Sequence, residues 1–313
     1  MVLPGRTGAA PRAPRGGGYT VGVNLGVRLA PVLVALLFAS PSGPGSRGSR
    51  VVGAPPPDDA GGGAWTALEP GLEVGAFPGP GPASGDGKIW MARIDPARFE
   101  LGLVNASASN DARPRTARNW ALDVGAVAAI NAAMYQTDGL TSVGLMRTRA
   151  HQNNPRRNRR YQAVLAFDPL APRVAPVRIL DAACGEVDAA ASAYGSLVQS
   201  IRMVSCDRRN VWAPDVKRWS TAAVGVDGAG RVLFIHARSP WPVHDLIDAL
   251  LALPIDLRRA MYVEGGPEAQ LFVRAGGREI ERLGTREGTP LDGDAAFAWE
   301  IPNVLVAVHR LGR

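Results

Sequence analysis

Residues 222–236, AAVGVDGAGRVLFIH, decide how this chain folds. Ala222 to Asp227 and Arg231 to His236 are two apolar runs separated only by Gly228-Ala229-Gly230. Glycines at 228 and 230 give the backbone the freedom a tight reversal needs, so the runs predict the two arms of a β-hairpin. Downstream, Val243 to Leu253 carries Leu246, Leu250 and Leu253 at helical spacing, and Pro254 ends the helix. Ala260 to Glu264 is a short strand running into Gly265 and Gly266, and Asn303 to Val308 is a closing strand. Upstream, Leu72 to Phe77, Lys88 to Ile94, Phe99 to Val104, Ala126 to Ile130, Gln162 to Phe167 and Gln199 to Val204 also read as strands. Residues 115–124 have helical spacing, with Ala117, Trp120, Ala121 and Val124 on one side and Gly125 to stop the helix. Strands outnumber helices and come in runs rather than in strand–helix alternation. That predicts an α+β fold: one globular domain of mixed β-sheets flanked by a few helices.

The ends differ from the middle. Residues 1–63 are crowded with Gly, Pro, Arg and Ala, a composition that buries too little apolar surface to order itself. Within them, Arg28 precedes the apolar run Leu29 to Ala39, and small residues follow. This is the layout of an export signal, too short for a comfortable bilayer crossing of about 20 residues. The expected division is a signal peptide or N-terminal anchor at 1–40, a flexible linker at 41–63 and the domain at 64–313. The expected location is secreted or in the cell envelope, with membrane contact only through residues 28–40 where they are retained. Residues 1–63 hold six arginines and two aspartates, +4 of the formal +7, which leaves the domain at +3. So modest a surplus argues against nucleic acid as a partner. Cys184 and Cys206 are the only cysteines; in an exported chain they read as a disulfide, or else as two separate small core residues.

Four places could carry chemistry. In Ala129 to Leu145, AINAAMYQTDGLTSVGL, an apolar strand ends at Asn131 and a polar loop follows. Asn131 either orients a ligand or caps a turn, and Asp138 either acts on a ligand or shapes the Asp138-Gly139 turn. In YVEGGPEAQ (262–270), Glu264 ends an apolar strand before two glycines that would let backbone N–H groups approach a ligand. Partial burial would raise its pKa toward the range of a general acid or base. Arg202, in mid-strand, must face solvent or an anion. Arg147 to Arg160 holds six arginines around His151-Gln-Asn-Asn-Pro155, either a phosphate- and sugar-binding loop or a solvated one. CxxC, HExxH, GxSxG and P-loop patterns are missing, and the four histidines, His151, His236, His244 and His309, have no ligand spacing. No cofactor is expected and no metal ligands are assigned.

Taken in order, INAAMYQTDGLTSVGLM, QSIRMV, AAVGVDGAGRVLFIHA and MYVEGGPEAQL resemble the phosphodiester glycosidase family, and its bacterial branch most. The resemblance spans roughly 88–308. Asn131, Met134 and Tyr135 match the family's first motif, and Val143-Gly144-Leu145 matches its second. Gln199, Ser200 and Met203 match the third, Gly225 the fourth, and Glu264-Gly265 stands where the family has Asp-Gly. Ala133 replaces a glycine, and Thr221 stands near the family's arginine, with Arg218 three residues earlier. The resemblance implies hydrolysis of a sugar-1-phosphodiester at the glycosidic bond, with a glycan or sugar phosphate as partner. It implies Glu264 and Asp138 as catalytic carboxyls, and Asn131, Tyr135, Arg202, Arg218, Gly265 and Gly266 as substrate contacts. The altered Arg and Asp positions keep a second expectation alongside: a non-catalytic module of the cell envelope that binds anionic glycans.

Overall fold

The computed structural model describes residues 64–81, 85–285 and 297–310. The expected signal and linker, 1–63, lie outside the described residues.

The described residues form sixteen strands. They are β1 (Trp65–Glu69), β2 (Leu72–Pro78), β3 (Lys88–Ile94), β4 (Phe99–Asn105), β5 (Ala128–Asn131), β6 (Met146–Arg147), β7 (Gln152–Asn154) and β8 (Ala163–Pro169). Then come β9 (Val177–Asp181), β10 (Tyr194–Val204), β11 (Trp219–Asp227), β12 (Val232–Trp241), β13 (Leu257–Gly265), β14 (Gln270–Ala275), β15 (Arg278–Leu283) and β16 (Asn303–His309). Three α-helices accompany them: α1 (Ala117–Asp123), α2 (Glu186–Ala190) and α3 (Val243–Ala252). No described helix is long and apolar enough to cross a membrane.

The larger sheet runs β1-β2-β3-β12-β11-β13-β10-β6-β7, with β8 on β10 and β9 on β8; the smaller runs β15-β14-β5-β16-β4. The sheets face each other across the main core. Val74, Ile94, Val224 and Phe234 of the larger meet Ile130, Leu271, Val273 and Leu305 of the smaller. Each sheet is also covered on its far side. Leu233 and Ile235 alternate away from Phe234 and pack under Val243, Leu246, Ile247 and Leu250 of α3. Those four positions fall on one helical face, and burying each contributes roughly 1.5–3 kcal/mol. On the other side Ala117, Trp120 and Ala121 of α1 cover Phe272, Val304 and Val306. Thr116 caps α1, its Oγ1 accepting from the Asn119 N–H at 3.2 Å, and Gly125 leaves it with φ +66°.

Two expectations change. Every strand pairing between these elements is antiparallel, not mixed. Parallel neighbours need a long crossover, usually helical, and only three short α-helices interrupt these strands. Val124 is 43% exposed, because the helix ends at Asp123 and its stripe ends with it.

Candidate active site

β13 and β11 lose register where the site begins. Ala223 pairs with Tyr262, yet Ala222 pairs with Glu264 and Thr221 with Gly265. Val263 is left as the extra residue of a β-bulge, which interrupts side-chain alternation just before Glu264; bulges re-aim side chains in this way beside functional sites. Gly265 follows in extended conformation, and any side chain there would force its neighbours to move. A Cβ would lie 1.9 Å from the Tyr262 hydroxyl and 2.6 Å from Cδ1 of Trp219. Gly266, at φ +66°, then turns the chain into the short 3-10 turn Gly266–Glu268.

This geometry sets the charge of Glu264. Burial pushes its carboxyl up to about 8, the Gly265 N–H that donates to Oε1 at 3.0 Å opposes the shift, and the Glu268 carboxylate adds to it. Glu264 is therefore largely protonated at neutral pH. Three phenols surround it. Burial raises the pKa of Tyr135, Tyr161 and Tyr262, and the charge of Glu264 raises each further. Glu264, the loop after β5, the 155–161 loop and β11 thus meet at one place. Two buried polar atoms on the adjoining strands have no hydrogen-bond partner among the described residues: Oγ1 of Thr221 and Nδ1 of His236. His236 flanks Ala222 on β12 as Glu264 does on β13. It is fully buried, its Nε2 lies 3.2 Å from the Ala269 carbonyl, and burial lowers its pKa to about 4, so the ring is neutral.

Asn131 belongs to this group by support. Its Oδ1 accepts from the Gln270 N–H at 2.7 Å and its Nδ2 donates to the Glu268 carbonyl at 2.9 Å. It pins the far end of the turn that carries Glu264, Gly265 and Gly266. Gln199 is a second buried staple: its Oε1 accepts from Leu145 and Asn158 N–H groups, and its Nε2 donates to the Asn158 and Tyr161 carbonyls. Gly144 packs directly on it. The Ser200 hydroxyl donates to the Tyr262 carbonyl.

No hydrogen bond or ion pair links Asp138, Arg202 or Arg218 to Glu264. Asp138 is exposed and accepts from the Leu140 and Thr141 N–H groups at 2.9 Å and from the Thr141 hydroxyl at 2.6 Å. These bonds hold its carboxyl below the usual range and shape the turn. Arg202 lies opposite Met261 and grips both oxygens of buried Asp181, at 2.7 and 2.8 Å. Arg218 is exposed on the loop before β11, with no ion pair among the described residues. Cys184 and Cys206 form a disulfide beside Asp181. The one described cluster with potential metal ligands is Asp181 with these two sulfurs, which are bonded to each other.

Tyr161, Tyr262, Trp219 and Glu268 were not singled out from sequence. Tyr262 and Glu268 stand in the same nine-residue stretch as Glu264, so the stretch was found and its members were not. The arrangement can deliver a proton from Glu264, offer neutral phenol O–H donors, and supply a buried donor from Thr221.

No curated protein matches the chain. Among solved structures, a hypothetical protein from Synechocystis superposes with a TM-score of 0.55 at 11% identity, over 80% of this chain and 64% of that one, just under two thirds of its length. The catalytic domain of zebrafish N-acetylglucosamine-1-phosphodiester alpha-N-acetylglucosaminidase, auto-inhibited by its pro-peptide, superposes with a TM-score of 0.54 at 12% identity, over 78% of this chain and 86% of that one. At these identities the likeness is one of fold. The sequence pattern of the phosphodiester glycosidase family matches residues 124–308, from the end of α1 through β16, and includes every element that builds the Glu264 site. The chain belongs to the phosphodiester glycosidase family, a family of glycosidase-type hydrolases.

Proposed function

We propose that this chain is an exported hydrolase that cleaves a sugar-1-phosphodiester at its glycosidic bond, with Glu264 as the proton-transferring carboxyl. One observation carries the proposal: Glu264 is aimed by a bulge, fixed by Gly265, and protonated at neutral pH among neutral phenols. A neutral carboxyl does not repel an anionic phosphodiester, and it can donate to the bridging oxygen as the bond breaks. The oxygen of water bonds to the anomeric carbon while the carbon–oxygen bond to phosphate breaks. The electron pair leaves on that oxygen with the proton of Glu264, and the water proton returns to the carboxylate. The products are a free sugar and a phosphomonoester. Tyr135, Tyr161 and Tyr262 supply hydroxyls for sugar or phosphate oxygens. The name of the zebrafish neighbour supports this bond as the class cleaved. Export is supported by the Arg28-led apolar run and by a disulfide of the kind that persists in oxidising compartments.

Glu264→Gln should lower kcat by about 10²–10⁴-fold in a sugar-release assay, the usual worth of a positioned acid or base. The wild-type kcat should fall as pH rises through about 8, where Glu264 loses its proton. A variant as fast as wild type removes Glu264 from the reaction. The second reading, a non-catalytic binder of anionic glycans, is favoured by the internal partners that Asn131, Asp138 and Arg202 already have. It predicts binding of a sugar-1-phosphodiester without release of sugar.

A further inference from the structure

Two adjoining hollows lie beside β10 and share Arg202 and Val211 in their walls. The first, about 240 Å3, is walled by Arg160, Ile201 and Trp212; the second, about 350 Å3, by Arg209 and the Cys184–Cys206 disulfide. The first alone is below the roughly 300–1,000 Å3 typical of a ligand site, while the second and the pair together fall within it. The first hollow is one side chain away from the Glu264 group. Ile201 pairs with Tyr262 across β10 and β13, the Trp212 ring packs 5.5 Å from that of Tyr262, and Arg160 precedes Tyr161.

The charges on these walls are unequal. Arg202 is held by Asp181 and Arg209 by Asp207, so both are compensated. Arg160 has no ion pair and no side-chain hydrogen bond among the described residues, and the same holds for Arg156 and Arg159 on the same loop. An uncompensated guanidinium and an indole in the wall of one hollow offer a fork for a phosphate and a platform for the carbon skeleton next to it.

We propose that the double hollow is a second subsite, separate from the Glu264 group, that binds a phosphodiester-linked chain through Arg160 and Trp212. The bond cleaved at Glu264 would then be the end of a longer anionic substrate whose phosphate side continues along β10. This extension rests on the reading of Glu264 given above; the binding itself does not.

The test uses the full chain and isothermal titration calorimetry. The probes are inorganic phosphate and a trimer of glycerol joined by phosphodiester bonds. The trimer should bind at least tenfold more tightly than inorganic phosphate and should weaken as salt is raised. Arg160→Ala should lose about tenfold in affinity for the trimer, Arg160→Lys less and Arg160→Glu more, with melting temperatures unchanged because the residue is exposed. Glu264→Gln should bind the trimer as wild type does. The subsite is overturned if Arg160→Ala and Arg160→Glu bind the trimer as wild type does, or if inorganic phosphate binds as tightly as the trimer. The two proposals fail separately. A Glu264→Gln protein that still releases sugar removes the catalytic reading and leaves the Arg160-dependent binding. An inactive Glu264→Gln protein alongside undiminished binding by Arg160→Ala removes only the subsite.

Discussion

Glu264 gives the fold a pH dependence whose sign can be worked out. An unfolded chain loses this proton near 4.5, the folded one near 8. Between those values the native state holds a proton that the unfolded state has released, so stability falls as pH rises through the window, and the loss is complete above about 8. Glutamine has the same shape without the ionisation. The melting temperature of Glu264→Gln should therefore gain on wild type from about pH 5 to about pH 8 and level off above that; a constant difference would mean that Glu264 titrates normally. At the neighbouring position, Gly265→Ala should destabilise by about 1–3 kcal/mol, the usual cost of overpacking, because its methyl meets the Tyr262 hydroxyl. Adding Tyr262→Phe removes that hydroxyl and should recover part of the loss in a double-mutant cycle measured by urea denaturation. At this scale the sequence was partly readable. A carboxylate closing an apolar strand before Gly265 and Gly266 marked Glu264. Nothing local to Tyr161 could reveal that it faces Glu264, because the loop that carries it is held there by Gln199, 38 residues further on. Asn131 stood out as a polar residue at a strand end, but which of its alternatives holds depends on its partners, Glu268 and Gln270, more than 130 residues away.

The elements around β10 are tied by a cross-link and an ion pair that can be tested apart. The Cys184–Cys206 disulfide joins the segment before α2 to the end of β10, 22 positions apart in sequence. Replacing both cysteines with serine should cost roughly 3 kcal/mol on the chain-entropy account, read as a lower urea midpoint. Asp181→Ala leaves Arg202 without its counter-charge and removes the acceptor of the Ala183 and Cys206 N–H groups. Breaking one side of such a buried pair costs about 3–5 kcal/mol, so this variant should lose at least as much as the double cysteine variant in the same titration. The central hairpin and α3 were legible because period-two and helical spacing are written into consecutive residues. β14 and β15 escaped notice although they carry a signal. Gly276 and Gly277 both have positive φ, the two-residue reversal that joins a hairpin. The arm REIERL is charged along its length, as an edge strand of the smaller sheet can be, and its composition hid it.

The whole molecule is held by pairings between distant segments. β3 sits beside β12, and β10 pairs with β6, β8 and β13. Which strands neighbour one another follows from the joint burial of two sheet faces, and no single stretch of sequence contains that information. An abundance of strands was readable from their spacing; the antiparallel sandwich with a helix on each outer face was not. The least local case is β16, which lies between β5 and β4 and pairs with both along its length. A chain ending at residue 302 should show no cooperative thermal transition by circular dichroism. Seen from the ribosome, this makes the smaller sheet the later of the two to be finished. Until residue 309 has emerged, β4 and β5 are two open margins with a gap between them, and the nascent chain must be kept from joining them to anything else.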